Sequence, residues 1–554
     1  MKPHAFSTRS QSLQSLTVKV GQIFPRSQAA LLFLVVLLVA SSVAQSPCAK
    51  CHADIVRSYS TTAMANASGP ASLNPLTGAF HHEPSDVNYK IELRDGHLFL
   101  TYARTNDVHG QRELLYYIGQ GRRGRTYLFA DDGFLFESPV NWYADEKKWD
   151  VAPGYTASRE IPMNLPALPS CLECHTSNFR PPIAGTENRY TLPVFTATGI
   201  TCERCHGPSD AHANGKGAIL NPAKLPADRR DQICMQCHLE GDAAIERPGK
   251  HLYDFRPGDD LSQFVRYYVM ADEHGSSLRA ASQFEALAQS TCKKKSGDKL
   301  WCGTCHDPHR TIAPEERVSF YRSKCLSCHS AEFSAKHHTE NPDCTACHMP
   351  ASQSKDVAHT EVTDHRILRR PAAPPAPPTS LPKLVPFPYS AEADNDARDK
   401  GLAWQAIVNS GMTDAQPEAE RWLRKASEYD KNDPAVLSAL AFLSQKRGDT
   451  ETARALYTSA LSLNPSELDA ENNLAILEAR AGHTRRAVEL WEDAFRRAPG
   501  HSGIGMNLAL AFCSTGQYDA ARQFTTRVLE FNPDLPAARH LLSGLNASPP
   551  KCAP

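Results

Sequence analysis

Seven segments of the chain read Cys-x-x-Cys-His, and no other feature limits its architecture so strongly. They run from Cys48 to His52, Cys171 to His175, Cys202 to His206, Cys234 to His238, Cys302 to His306, Cys325 to His329 and Cys344 to His348. At this composition about 0.02 such pentapeptides are expected by chance. The spacing suits covalent haem: two thiols reach the two vinyl groups of one porphyrin while the adjacent imidazole ligates the iron. The pairs Cys48/Cys51, Cys171/Cys174, Cys202/Cys205, Cys234/Cys237, Cys302/Cys305, Cys325/Cys328 and Cys344/Cys347 are therefore expected to attach haem. His52, His175, His206, His238, His306, His329 and His348 are the expected proximal ligands, so the cofactor expectation is seven haems c with their iron. Zinc is the competing reading, but tetrahedral sites do not need a histidine directly after every second cysteine.

With 554 residues, more than one core is expected. The 60 Lys+Arg balance 61 Asp+Glu, which removes the positive field that nucleic-acid binding requires. Residues 1–44 carry Lys2, Arg9, Lys19 and Arg26, no acidic residue, an apolar run from Ala29 to Ala40, and the small residues Ser42-Val43-Ala44. This reads as a secretory signal cleaved before Gln45, because the apolar run is shorter than the roughly 20 residues of a spanning helix. A periplasmic or extracellular location follows, with no transmembrane span in the mature chain. An uncleaved inner-membrane anchor through residues 29–44 is the alternative.

Motif spacing groups the haems. The first stands alone, Cys171, Cys202 and Cys234 open a group of three, and Cys302, Cys325 and Cys344 open another. Such short intervals cannot build a separate core around each porphyrin, so the rings must pack together. The second axial ligand then decides between conduction and chemistry. Candidates for that position are Met64, His81 or His82 for the first haem, and His212, His309, His337, His338, His359 and His365 elsewhere. Further spare histidines stand at 97, 109, 251 and 274. Cys292, beside Lys293, Lys294 and Lys295, reads as packed or disulfide-bonded, with Cys552 a conceivable partner, and Cys513 reads as core.

Residues 85–150 lack a motif and are rich in strand formers, for example Tyr89 to Leu93 and His97 to Tyr102, which predicts a small antiparallel sheet. Within it, Gly119-Gln-Gly121-Arg-Arg-Gly124 precedes a strand rather than a helix and reads as a hairpin, not a dinucleotide fingerprint. Its Arg122, Arg123 and Arg125 could pair with haem propionates or simply form a solvated basic turn. After His365 a proline-rich spacer covers residues 370–388. A 34-residue period follows, in register at Leu440/Leu474/Leu508, Ala441/Ala475/Ala509, Gly448/Gly482/Gly516, Ala453/Ala487/Ala521 and Pro465/Pro499/Pro533. This is the tetratricopeptide (TPR) pattern, with units at 434–467, 468–501 and 502–535 and a degenerate one at 400–433 inside a domain of residues 389–548.

The chain resembles the multihaem cytochromes of the c-554 type that carry C-terminal TPR repeats. The resemblance rests on the flanks in Gly199-Ile-Thr-Cys202-Glu-Arg-Cys205-His206-Gly-Pro, Trp301-Cys302-Gly-Thr-Cys305-His306-Asp-Pro-His309, Cys344-Thr-Ala-Cys347-His348-Met-Pro and Thr363-Asp-His365-Arg-Ile. It implies bis-histidine irons for most haems, with His212, His309 and His365 as distal ligands. Gln283 stands near where relatives carry a histidine, which leaves room for one weak or open iron. The expected fold is a mainly α, haem-packed domain over 45–369 with a small β insertion, then the spacer and an α-α solenoid. The expected function is electron transfer along stacked haems, with a redox partner docked on the repeats. The alternative is an oxidoreductase acting on a small nitrogen or sulfur compound at an open haem, and the sequence does not decide whether the chain is an enzyme.

Overall fold

The computed structural model describes residues 46–104, 108–153, 155–271, 278–330, 337, 342–354, 361–369, 381–388 and 396–552. The predicted signal segment and most of the predicted proline-rich spacer lie outside these residues. Nine strands fill the stretch from 68 to 151. β1 (Ser68–Pro70), β6 (Tyr116–Ile118), β7 (Gly124–Asp131), β8 (Phe134–Tyr143) and β9 (Lys148–Val151) form one antiparallel sheet in that order. β2 (Gly78–His82), β3 (Val87–Arg94), β4 (His97–Arg104) and β5 (Val108–Leu114) form the second. Alternation sets the register: Val87, Tyr89 and Ile91 turn inward while Asn88 and Lys90 face solvent, and Tyr89 and Ile91 lie opposite Tyr102 and Leu100. The β3–β4 and β7–β8 turns are Asp95-Gly96 and Asp132-Gly133, all four residues at positive φ, which fits the twist of two-residue hairpins.

The β unit is thus larger than the predicted insertion, and strand rather than helix is the main regular structure of this half of the chain. Most of its helices are one or two turns long, the exceptions being Ala227–His238 and Pro314–Leu326. Further along come the ribbon β10 (Asn178–Phe179) with β11 (Phe195–Ala197), the strands β12 (Ala243–Glu246) and β13 (Val265–Ala271), and the ribbon β14 (Ala351–Gln353) with β15 (Glu361–Thr363). Lys383–Phe387, inside the predicted spacer, forms β16 and pairs with β13, Val385 opposite Val269. No described residue from 291 to 354 is buried, although this stretch holds three motifs.

The C-terminal region is a right-sized contrast in regularity. Helix pairs Ala397–Asn409/Gln416–Tyr429, Pro434–Lys446/Thr450–Leu463, Leu468–Arg480/Thr484–Arg497 and Ser502–Ser514/Tyr518–Phe531 stack in sequence, followed by Pro536–Leu545. Ala441, Ala475, Ala509, Ala453, Ala487 and Ala521 are all fully buried, so methyl-sized side chains let paired helices close on each other. Gly448, Gly482 and Gly516 sit between the two helices of each unit at φ of 83°, 83° and 77°, a left-handed stop that glycine takes without strain. Cys513 is in the core as expected, but it is also disulfide-bonded to Cys552, Cα atoms 5.7 Å apart. Cys552 therefore is not the partner of Cys292, which is a free, half-buried thiol.

The solenoid is not a tethered appendage. Its inter-unit turns lie on the β unit: Phe531 joins the β-unit core and meets Phe136 at 4.9 Å, and its carbonyl accepts from the Met163 amide. Arg104 forks onto Asp534 at 2.5–2.6 Å, and Arg527 reaches Asp131 at 2.9 Å. A Cβ on Gly500 would stand 2.5 Å from the Phe136 ring, so this turn must be glycine for the two bodies to meet. At the other end Trp404 and Ile407 pack on the β12–β13–β16 sheet with Tyr268 and Leu384, and Arg247 pairs with the buried Asp399.

Candidate metal centres

Each motif occupies about one helical turn. Amides of His52, His206, His306 and His329 donate to the carbonyls of Cys48, Cys202, Cys302 and Cys325 at 2.8–2.9 Å, and the His175 amide bonds Leu172. Positions i, i+3 and i+4 share a helical face, so both thiols and the imidazole project together. The motifs also touch one another. Thiols of Cys48 and Cys202, Cys174 and Cys237, Cys234 and Cys302, and Cys325 and Cys344 are in hydrogen-bonding contact. Cys205 also lies near Cys237, and Cys305 near Cys328.

Four imidazoles from outside the motifs face four from within. His212 faces His52 (ring centroids 6.4 Å, interplanar angle 14°), and His309 faces His206 (5.9 Å, 18°). His365 faces His306 (6.2 Å, 31°), and His337 faces His348 (5.9 Å, 25°). Two imidazoles bound on opposite sides of one metal, each at about 2 Å from it, hold their centroids about 6 Å apart. The pairs are thus spaced for an iron between them, and their rings are exposed or half-exposed rather than packed in protein. These residues fit a haem iron.

Hydrogen bonds orient the rings. The Nδ1 of His206, His348, His365 and His212 meet the carbonyls of Leu220 (2.9 Å), Leu368 (2.6 Å), Thr363 (2.9 Å) and Gly217 (3.3 Å), and His175 bonds the Ala67 backbone. A carbonyl can only accept, so Nδ1 carries the proton and Nε2 keeps its lone pair for a metal. Desolvation in the crevices lowers the pKa of His175, His238 and His365, which favours the same neutral form. Among the described residues no group of three or more His, Cys, Asp or Glu gathers as a tetrahedral zinc site needs.

Other expected ligands are placed elsewhere. His82 is buried with both nitrogens engaged, by Ser85 Oγ at 2.7 Å and the Thr156 carbonyl at 3.2 Å. His81 points at Asn88, Glu83 and Asp86. Met64 is half-buried and its carbonyl anchors the Ile200 amide. The ring found facing His52 is His212, 160 residues later. His338 and His359 lie outside the described residues. Arg125 is consumed by the carbonyls of Gly119, Gln120 and Asn74 within the predicted hairpin, and Arg123 by Asp145, so these guanidiniums hold the turn. Gln283 is found on the outer, Nδ1 side of His238, at 3.1 Å. Among the described residues no second imidazole stacks on His175 or His238.

Two family models match the chain: cytochrome c554 and c-prime over residues 145–207, and tetratricopeptide repeat over 478–545. The multiheme cytochrome MtrA of Shewanella baltica is 23% identical over 178 residues, covering 29% of this chain and 52% of MtrA. A CTR9 homolog of Arabidopsis thaliana is 27% identical over 117 residues, 21% of this chain and 11% of that protein. The chain thus spans about half the length of the first relative and a tenth of the second. Solved structures with likeness include MamA (residue 41 to the end) from Desulfovibrio magneticus RS-1, 20% identical over 27% of this chain and 84% of that one, TM-score 0.25. A tetratricopeptide repeat protein from Parabacteroides merdae is 23% identical over 27% and 58%, TM-score 0.24. The family matches and the MtrA likeness support a multihaem cytochrome with covalently held haem c and a C-terminal TPR region suited to protein contacts.

Proposed function

We propose that the chain is an exported electron-transfer protein in which seven haems c, one per motif, conduct electrons and the TPR solenoid receives a redox partner. The four facing imidazole pairs carry this reading, because an iron held on both faces by histidine exchanges electrons without binding substrate. Haem supplies the redox centre. The protein supplies the thiol anchors, the two imidazoles and the backbone carbonyls that fix the tautomers of His206, His212, His348 and His365.

Contacts between motifs suggest the route. With the haems numbered by motif, thiol contacts join 1 to 3, 4 to 5, 6 to 7 and 2 to 4, and thiols lie near each other between 3 and 4 and between 5 and 6. Cys51, Cys328 and Cys347 are exposed while the thiols of motifs 2 to 5 are less so, which supports entry and exit at haems 1, 6 and 7. Export is supported by the Cys513–Cys552 disulfide, which persists in oxidising compartments. Among the described residues no helix is long and apolar enough to cross a membrane.

Intact mass of the exported protein is expected to show seven haems, and magnetic spectroscopy mostly low-spin iron; fewer haems or mainly high-spin iron overturns the reading. A second reading, catalysis at haem 2 or 4, is favoured by the lack of a stacked second imidazole at His175 and His238 among the described residues. Spectral change on adding nitrite, hydroxylamine or cyanide selects it over pure conduction.

A further inference from the structure

His238 differs from the other oriented imidazoles in what holds it. His175, His206 and His348 rest on backbone, whereas His238 Nδ1 lies 3.1 Å from the side-chain Oε1 of Gln283. The amide cannot turn over, because its Nε2 donates to the Ala280 carbonyl at 2.7 Å, which leaves only the oxygen to face the ring. His306, the neighbouring case, meets only the Tyr321 hydroxyl at 3.4 Å, a weak contact.

The segment bearing Gln283 is fastened to the loop that follows motif 4. Glu285, nearly fully buried, accepts from the Gly241 amide and from Arg279 at 3.0 Å, and Arg279 also reaches Asp242 at 2.7 Å. Ser282 Oγ accepts from the Arg279 amide and donates to its carbonyl, both at 2.8 Å. Gly241 and Asp242 stand three and four residues beyond His238, so ring and amide are held by the same short stretch of chain.

We propose that Gln283 is a positioning residue for haem 4, fixing the His238 ring with Nε2 toward the iron and setting that haem's potential by the strength of one hydrogen bond. An acceptor on Nδ1–H makes an imidazole a stronger donor and favours the oxidised iron. Because the acceptor is a side chain, one substitution alters it without moving backbone, which is not so at motifs 2, 3 and 7. Haem 4 is also where the proposed route meets haem 2, so its potential sets how electrons divide there.

The inference rests on the reading of His238 as an iron ligand. Spectroelectrochemical titration of the full-length holoprotein tests it, with haem count by intact mass alongside. Gln283→Leu removes the acceptor and is expected to raise one midpoint, and Gln283→Glu, which sets a negative charge against the ring, to lower the same one. Each shift should be at least tenfold in the one-electron equilibrium, about 59 mV. Seven haems retained with every midpoint unmoved in both variants overturns the role of Gln283 and leaves the conduction reading standing. A wild-type protein with no haem on motif 4 overturns the ligand assignment instead.

Discussion

The solenoid and the stretch from 291 to 354 are opposite solutions to the problem of making a core. In the solenoid, Tyr457, Leu474, Trp491, Leu508 and Phe512 meet from successive helices, and each unit buries the apolar face of its neighbour. From 291 to 354 there are helices, including Pro314–Leu326, yet no described side chain is buried. Such a segment cannot offset its own ordering entropy with protein contacts alone. In the proposed reading its apolar partner is the porphyrins that Cys302/Cys305, Cys325/Cys328 and Cys344/Cys347 are spaced to hold. Repeat sequence thus makes one region self-sufficient, and on the proposed reading motif sequence makes the other depend on cofactor.

The largest test of that contrast is to make the chain without haem attachment, by export from a host lacking the attachment machinery. Hydrogen exchange is expected to be fast throughout 291–354 while the helices from 434 to 531 stay protected. Protection of 291–354 in the haem-free chain would sink the idea.

The boundary between the two solutions is sharpened by Phe531, which belongs to the solenoid by sequence and to the β unit by packing. Phe531→Ala is expected to cost about 3–5 kcal/mol, as other buried aromatic truncations do. The loss should appear as faster exchange in β5, β7 and β8 as much as in the last helices. Loss confined to the solenoid would show that the two bodies unfold independently. The same packing means that deleting the repeats does not isolate a role in partner docking, because it strips the β unit of part of its core.

How far these features were legible in the chain follows from the range of the interactions behind them. Cys-x-x-Cys-His is local chemistry, and the TPR columns are local periodicity, so both stand out in the sequence. Asp95-Gly96 and Asp132-Gly133 are equally local hairpin signals between strand runs, whereas β1 and β2, which enlarge the unit beyond the predicted insertion, carry no such marker. His212, His309 and His365 were candidates by their place beside motifs and were reinforced by the resemblance, but nothing within a few residues of His212 reveals that it faces His52. Met64, His81 and His82 were favoured by proximity in sequence, whereas the ring that faces His52 comes from 160 residues along the chain. The Phe531 contact and the acceptor role of Gln283 depend on where remote segments land, and single-sequence patterns carry no such information.

Within the solenoid, the Cys513–Cys552 bond ties the tail to the last full unit. In the chain-entropy account, closing a loop of 39 residues constrains the unfolded state by about 4 kcal/mol, and measured effects run lower. Cys513→Ser is therefore expected to cost about 2–4 kcal/mol in denaturant unfolding, with exchange rising first in Pro536–Leu545. Reductant should reproduce the effect on the wild type. An unchanged midpoint on reduction would show that the helices hold the tail without it.

The smallest effect lies in the β unit and concerns pH. Glu137 on β8 has its pKa pushed up to about 7 by burial, eased only by the Thr126 hydroxyl at 3.4 Å. The unfolded chain releases this proton near the ordinary glutamate value of about 4.5. Between those values the folded state binds more protons than the unfolded one, so stability falls as pH rises from about 4.5 to 7 and stays reduced above. Gln in place of Glu137 removes the penalty: Glu137→Gln should match the wild type at pH 4 and exceed it by about 1–2 kcal/mol at pH 8. The solenoid, probed by exchange in its own helices, should not share that gain. A variant whose advantage does not grow with pH would show that Glu137 is ionised in the fold and that the β unit tolerates its charge.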